Sequence, residues 1–517
     1  APLRDNLRMS MIRTAERIVD AREDFRSIAT TNRWEVTTSL LLALKMADNP
    51  VAVNKRDNPK KYTFANDIRF WERSGVADFE GPDSYDWRTV TLVHNPDSTD
   101  MMHGPSLESE QYDEYAANAP ENLERLRNIP DGGIVELRAP RVGFFTTPAF
   151  FQVWQTNFDN DFRVTLNQAL LVATGQSFSP GDTTPSNTDL SAVDLDAFPE
   201  TSECYGCHKN MEPMRLAWLQ SFDSTRTRQH YLDDELPPAD FAFQGHSVPV
   251  SSIQDFAQAL ATHPNFARAW VIKLCQWATS RRCDPNDDRV RELAADFKDS
   301  GFDLSYLFEA FFASSLATDT SDRAGTLHPG AQVSIARRGH FCHAAEVRLD
   351  AVREARGLEG VAEAHICSDR DDARLLSGAI PDDEYIRGAV YLEQPSAMAA
   401  FTAVAFEGLC KAIASDVVDH RDSGIFDSRD ENETLDLLIE HVLGVPPDTE
   451  RFARERVTLE RIYRAQTLET PCADADALSL SLAENSPTCG LGLSKTEALR
   501  NIWMITCQSP LLSGIGL

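Results

Sequence analysis

Glu203-Cys204-Tyr205-Gly206-Cys207-His208-Lys209-Asn210-Met211-Glu212-Pro213 is the stretch from which this chain is best read. Two thiols three positions apart followed at once by an imidazole form Cys-x-x-Cys-His, the attachment pattern of a c-type haem. Each thiol can add across one vinyl group of a porphyrin, so sulfurs one helical turn apart grip one ring edge. The adjacent histidine is then placed to serve as the proximal iron ligand. Gly206, between the thiols, is expected to let backbone approach the macrocycle closely. With this chain's own frequencies of Cys and His, the pattern would arise by chance roughly 0.004 times in such a length.

Three other chemistries share part of the pattern. A thioredoxin-type redox pair needs a βαβ setting, which the surrounding sequence lacks. A zinc site needs two further ligands, and neither a second Cys-x-x-Cys nor a spaced histidine pair is present. A disulfide across two intervening residues would be strained. Downstream, Pro213 suits the first turn of a new helix, with Glu212 favoured beside its positive end. That helix would offer Leu216, Trp218, Leu219 and Phe222 to a core or to the porphyrin edge. Trp218 reads as a core aromatic before an electron relay.

From Cys204 to Asp223 the chain resembles the planctomycete-type cytochrome c domains of large secreted bacterial proteins, whose pattern runs Cys-x-x-Cys-His-x-x-Met/Ile-Asp-Pro and then a helix ending near Phe-Asp. Met211, Pro213, Phe222 and Asp223 match it. Glu212 replaces the usual Asp, and Arg215 stands where Gly is common. Upstream, Arg141-Val142-Gly143-Phe144-Phe145-Thr146-Thr147-Pro148, Arg163-Val164 and Asn167-Gln168 also resemble segments of such proteins. The likeness spans about residues 130 to 320 and implies a haem-bearing helical domain in the cell envelope, with no settled reaction.

The sixth iron position decides between a carrier, closed by Met or His, and an open site for ligand chemistry. Met211 lies too near His208 to reach the far face and is read as pocket wall. Candidates for the far face are Met101, Met102 and His103 upstream, and His230, His246 and His263 downstream. His246, in Gln244-Gly245-His246-Ser247, is put first because it is expected on a loop with a glycine hinge. His340 and His343 flank Cys342 at a spacing that could share a helix face, but read more simply as solvated neighbours of a disulfide.

The ten cysteines fall at 204, 207, 275, 283, 342, 367, 410, 472, 489 and 507. Setting aside the motif pair leaves an even set, which suggests four disulfides and an oxidising compartment, periplasmic or extracellular. Cys275 with Cys283 and Cys472 with Cys489 are the natural short pairs; the other four cysteines allow three connectivities. Lys and Arg number 50 against 80 Asp and Glu, a formal charge of −30. Such a surface disfavours nucleic acid and would steer a basic redox partner protein, or simply keep the chain dissolved. No run approaches the ~20 apolar residues of a membrane span; the longest, Thr38 to Ala47, is interrupted by Lys45. The opening Ala1-Pro2-Leu3 fits either a processed N-terminus or a trimmed chain.

The fold class expected is mainly α, a helical c-type haem domain followed by a second helical, disulfide-containing domain. Boundaries are placed at 1–130, 131–325 and 326–517, with the polar stretch Thr318 to Gln332 as the clearest break. Helices are expected over Thr14 to Phe25, over Ser251 to Ser280 with a break at His263-Pro264, over Asp303 to Leu316 and over Glu431 to Leu443. The second half of the Ser251 to Ser280 pair should bury Phe266, Trp270, Ile272, Leu274 and Trp277. Strands are expected at Thr89 to Val93 and Gly133 to Leu137. Together these features predict a monohaem electron-transfer protein, with a haem-dependent oxidoreductase or a haem-bearing subunit of an envelope polymer as the alternatives.

Overall fold

The computed structural model describes residues 2–47, 81–96, 98, 124–154, 162–193, 195, 198–222, 236–279, 283–318, 334–358, 367, 376, 378, 380, 400–419, 425–473 and 487–515. Over these residues the chain is mainly helical, as expected, and it forms two compact units. The first contains residues 1–273 and 284–311, and the second contains 274–283 together with most of the chain beyond 312. The stretch Thr318 to Gln332, read as the clearest break, lies almost wholly outside the described residues.

The first unit opens with a helix over Pro2–Asp20, longer at its start than the periodicity from Thr14 suggested. It stops short of Phe25 because Arg22 turns the backbone into the left-handed region, at φ 50°. Phe25 instead packs edge-on against Trp270 at 4.7 Å. A three-stranded sheet follows, with β1 (Arg33–Val36), β2 (Arg88–His94) and β3 (Gly133–Leu137) in that order. β1 and β2 are antiparallel, β2 and β3 parallel, with Val90 opposite Gly133. The two strands expected from alternation are therefore neighbours in one sheet, and the position-130 boundary falls between them. The apolar run Thr38–Ala47 is a helix whose Leu40, Leu41, Leu42 and Leu44 are buried with Trp34, Val90 and Val135. Its length is half a membrane span, and it serves here as core.

The rest of the first unit surrounds a helix over Tyr205–Leu219 that carries the cysteine motif. Beside it lie a helix over Arg163–Thr174 and a hairpin of β4 (Ala239–Phe243) and β5 (His246–Val250). The expected helix pair is present as Ile253–Thr262 and Phe266–Thr279, parted at His263-Pro264. Ser252 caps the first of them by accepting the Asp255 N–H. Of the residues expected inside the second, Phe266 and Leu274 are buried, but Trp277 is 63 % exposed. The buried face is completed by Ala267, Ala269 and Val271, small side chains that an aromatic-weighted reading passes over.

The second unit is a helical core built from Arg338–Ala355, Ala400–Val417, Glu431–Leu437 with its π-helical continuation Leu438–Val442, Glu450–Thr467 and Lys495–Cys507. Phe341, Phe406, Leu438 and Trp503 are among its buried side chains. Four disulfides are formed in all: Cys275–Cys283, Cys472–Cys489, Cys342–Cys367 and Cys410–Cys507. The two short pairs match the sequence expectation, and the structure selects one of the three connectivities left open.

Candidate functional site

Cys204, Cys207, His208 and Met211 stand at relative positions 0, 3, 4 and 7, so they share one stripe of a helix. Cys204 occupies the N-cap with helical backbone angles, and the helix runs unbroken from Tyr205 to Leu219. No new helix begins at Pro213, contrary to expectation. Pro213 lies inside the helix, so Glu212 sits in the middle of the element and not at its positive end. From Glu212 to Trp218 every residue of the helix is buried, Pro213 included. That burial keeps the helix whole despite the missing proline N–H, since packing outweighs local propensity.

The motif stripe is more open. Cys204 is exposed, Cys207 is partly buried, and His208 and Met211 are half-buried. Burial pushes the Cys207 thiol above its ordinary value, with the neighbouring Cys204 adding to the effect. Gly206 has a different constraint from the one expected. A Cβ there would stand 2.9 Å from both Cα and Cβ of Pro180, so the close approach is made by the preceding loop.

Glu212 is the electrostatic centre of the site. Its side chain is fully buried, and its Oε1 accepts from His208 Nδ1 at 2.6 Å and from Arg163 Nε at 2.6 Å. Oε2 accepts from Arg163 Nη2 at 3.0 Å and from Arg215 Nε. Burial alone would raise this carboxyl. The hydrogen bonds from His208 and Arg163, with the charges of Arg215 and Arg163, overcome it and bring the group to about 2. Glu212 and Arg215 are thus partners of one another.

A carboxylate can only accept, so Nδ1 of His208 bears the hydrogen and, in the neutral ring, Nε2 carries the lone pair. Phe198 stacks on the imidazole face, with ring centroids 3.5 Å apart and planes 15° apart, and Arg163 lies over Phe198 at 5.5 Å. A ring held on its face and at its Nδ1 edge keeps Nε2 in a fixed direction.

Two upstream segments supply residues that pack on this helix, Arg163 and Phe145. Arg163 supplies the double bond to Glu212. Gly143 adopts φ 57°, and a Cβ there would meet the Ala29 carbonyl oxygen at 2.1 Å, so only glycine fits. Phe145 packs on Trp218 at 5.5 Å, and Arg141 lies over Phe222 at 5.4 Å. Trp218 also meets Phe256 at 4.5 Å and is fully buried, as expected of a core aromatic. Asp223 lies outside the described residues.

His246 is the first residue of β5, not a loop residue, and its backbone is paired opposite Phe243. Gln244 and Gly245 have φ of 48° and 81°, the two-residue turn that joins tightly twisted strands, so the glycine closes a hairpin and is no hinge. The turn is tied to the motif helix through the preceding loop. Asp182 accepts from the Gln244 N–H, Thr184 Oγ1 accepts from the Gly245 N–H, and the Thr184 carbonyl accepts from Asn210 Nδ2. Nε2 of His246 is buried without a hydrogen-bond partner, and burial lowers the ring's basicity. His263 differs, because both its nitrogens are engaged: Nε2 donates to the Phe243 carbonyl and Nδ1 accepts from the Asn265 N–H, each at 3.2 Å. Met101, Met102, His103 and His230 lie outside the described residues.

Comparison with protein-family models, curated proteins and solved structures returns no match. The site is therefore read from its own geometry. Among the described residues no cluster of three or more His, Cys, Asp or Glu side chains could hold a bare metal ion. Also among them, no helix is long and apolar enough to cross a membrane. Sequence reading missed the partners of Glu212, because Arg163 is 49 residues away and no local spacing links the two.

Proposed function

We propose that this chain is a monohaem c-type cytochrome that transfers electrons in an oxidising compartment, in the bacterial cell envelope or outside the cell. The observation that carries the reading is the state of the cysteines. Eight of ten are joined in disulfides, and the two left as thiols are Cys204 and Cys207, one helical turn apart and directly before His208.

The donor set fits a covalently held haem. Two thiols on the open stripe are available for thioether links, His208 offers Nε2 as a lone-pair donor, and Met211 continues the stripe as a wall. Such a group, when bound, supplies a one-electron iron couple. The chain's own residues fix the donor's direction through Glu212 and Phe198, and Arg163 with Arg215 hold Glu212 in place. His246, with its unpartnered nitrogen at the start of β5, is retained as the far-face candidate. Four disulfides are compatible with an extracytoplasmic location. The resemblance to planctomycete-type cytochrome c domains supports the same reading through the segments that gather on the motif helix. An acidic surface suits a basic redox partner protein.

The test is direct. Protein produced in a periplasm equipped for haem attachment should, after denaturation, retain a porphyrin in the mass of the intact chain, and Cys204→Ala with Cys207→Ala should lose it. A denatured wild-type chain of bare polypeptide mass would overturn the proposal.

A further inference from the structure

We infer that Glu212 is a positioning residue for His208, holding the imidazole by its Nδ1 edge so that Nε2 is presented to a haem iron as an electron-rich donor. This rests on the reading of the site as a c-type haem centre and concerns how the chain sets the properties of that centre.

Three donors converge on Glu212, and two would suffice to neutralise it. Arg163 alone makes both hydrogen bonds of a bidentate pair, and Arg215 adds a second cation. The contact with His208 at 2.6 Å is a third donor to a carboxylate that already faces two cations. Its effect falls on the imidazole. A carboxylate accepting from Nδ1–H draws the proton toward itself and returns electron density to the ring, which strengthens Nε2 as a ligand. Phe198 restrains the ring plane and Glu212 restrains rotation within it, so the direction of Nε2 is fixed by two independent contacts.

The sign of the effect follows from charge. Electron density pushed through Nε2 favours the ferric over the ferrous state. Replacing Glu212 by a neutral group removes that density and also leaves the positive charges of Arg163 and Arg215 without their shared counter-charge. Both changes favour the ferrous state, so they add.

The experiment uses the haem-loaded wild-type protein and Glu212→Gln, which keeps the side chain's size. The variant should favour the ferrous form at least tenfold at a fixed ambient potential, about 59 mV upward for a one-electron couple. Its iron–histidine stretching frequency, read by resonance Raman after photolysis of the carbon monoxide adduct, should fall. Glu212→Asp, which keeps the charge, should return most of both shifts; a purely structural role would not restore them together. A loaded Glu212→Gln protein with unchanged potential and stretching frequency overturns the inference and leaves the haem reading intact. If that variant fails to fold, the wild-type frequency alone decides: a raised, imidazolate-like value supports the inference, and a value typical of a neutral imidazole overturns it. A wild-type chain without bound haem overturns both and is recognised before any variant is made.

Discussion

At the residue scale the site is a set of tightly specified positions around one helix turn. Gly206 is the most sharply constrained of them, because Pro180 leaves no room for a methyl group. Gly206→Ala should cost about 1–3 kcal/mol, the usual range for overpacking a close contact. A urea-unfolding midpoint that does not fall would show that the loop yields freely. Cys204, Cys207 and His208 could be singled out in the sequence because the proposed haem attachment requires a fixed local spacing, which a linear sequence displays directly. Glu212 was legible only as a departure from a pattern. Its meaning comes from Arg163, brought in from another helix, and contacts over such separations leave no local periodicity to read.

Among the elements, the junction between the two helices parted at His263 shows how a polar group fixes packing. His263 joins the helix end to β4 through the Phe243 carbonyl and supports the next turn by accepting the Asn265 N–H. Burial holds its imidazole down at about 4, with His246 nearby acting in the same direction, while the bond to Phe243 and the charge of Asp182 oppose it. The unfolded ring titrates near 6.5. Between those values the unfolded state binds the extra proton, so the stabilisation is complete above about 6.5 and declines as pH falls toward 4, by roughly 3 kcal/mol in total. His263→Gln should lower stability at neutral pH and flatten the dependence of Tm on pH in that window; an equally steep wild-type and variant profile would refute the assignment. The helix pair around this junction was readable from its apolar spacing and the His-Pro break. The hairpin facing it was not. All five residues of β4 are buried, so no alternation marks it as a strand, and Gln244-Gly245 is a weaker turn signal than Asn-Gly.

Over the whole molecule, all four disulfides lie within the second unit. Cys410–Cys507 spans 97 residues and Cys275–Cys283 spans 8. By loop-closure entropy the long bridge should contribute about 4–5 kcal/mol and the short one about 2–3 kcal/mol. Replacing both cysteines of each pair by Ser, with Tm read by calorimetry, should rank the losses in that order; the reverse order would show that native packing, and not the unfolded chain, dominates. Cys410 and Cys507 are both fully buried, and Trp503 Nε1 donates to the Cys410 carbonyl, so packing adds to the loss at that pair. Short bridges could be assigned by proximity along the chain, whereas the long ones required the helices to be placed first. The presence of two open thiols among eight oxidised ones sets a condition on biogenesis. On the proposed reading, oxidative folding and haem attachment at Cys204 and Cys207 draw on the same functional group, so an oxidant acting early would divert the motif into mispaired bridges. A cell that attaches such a group must keep one turn of one helix reduced, or claim it first, while the rest of the molecule is being stitched.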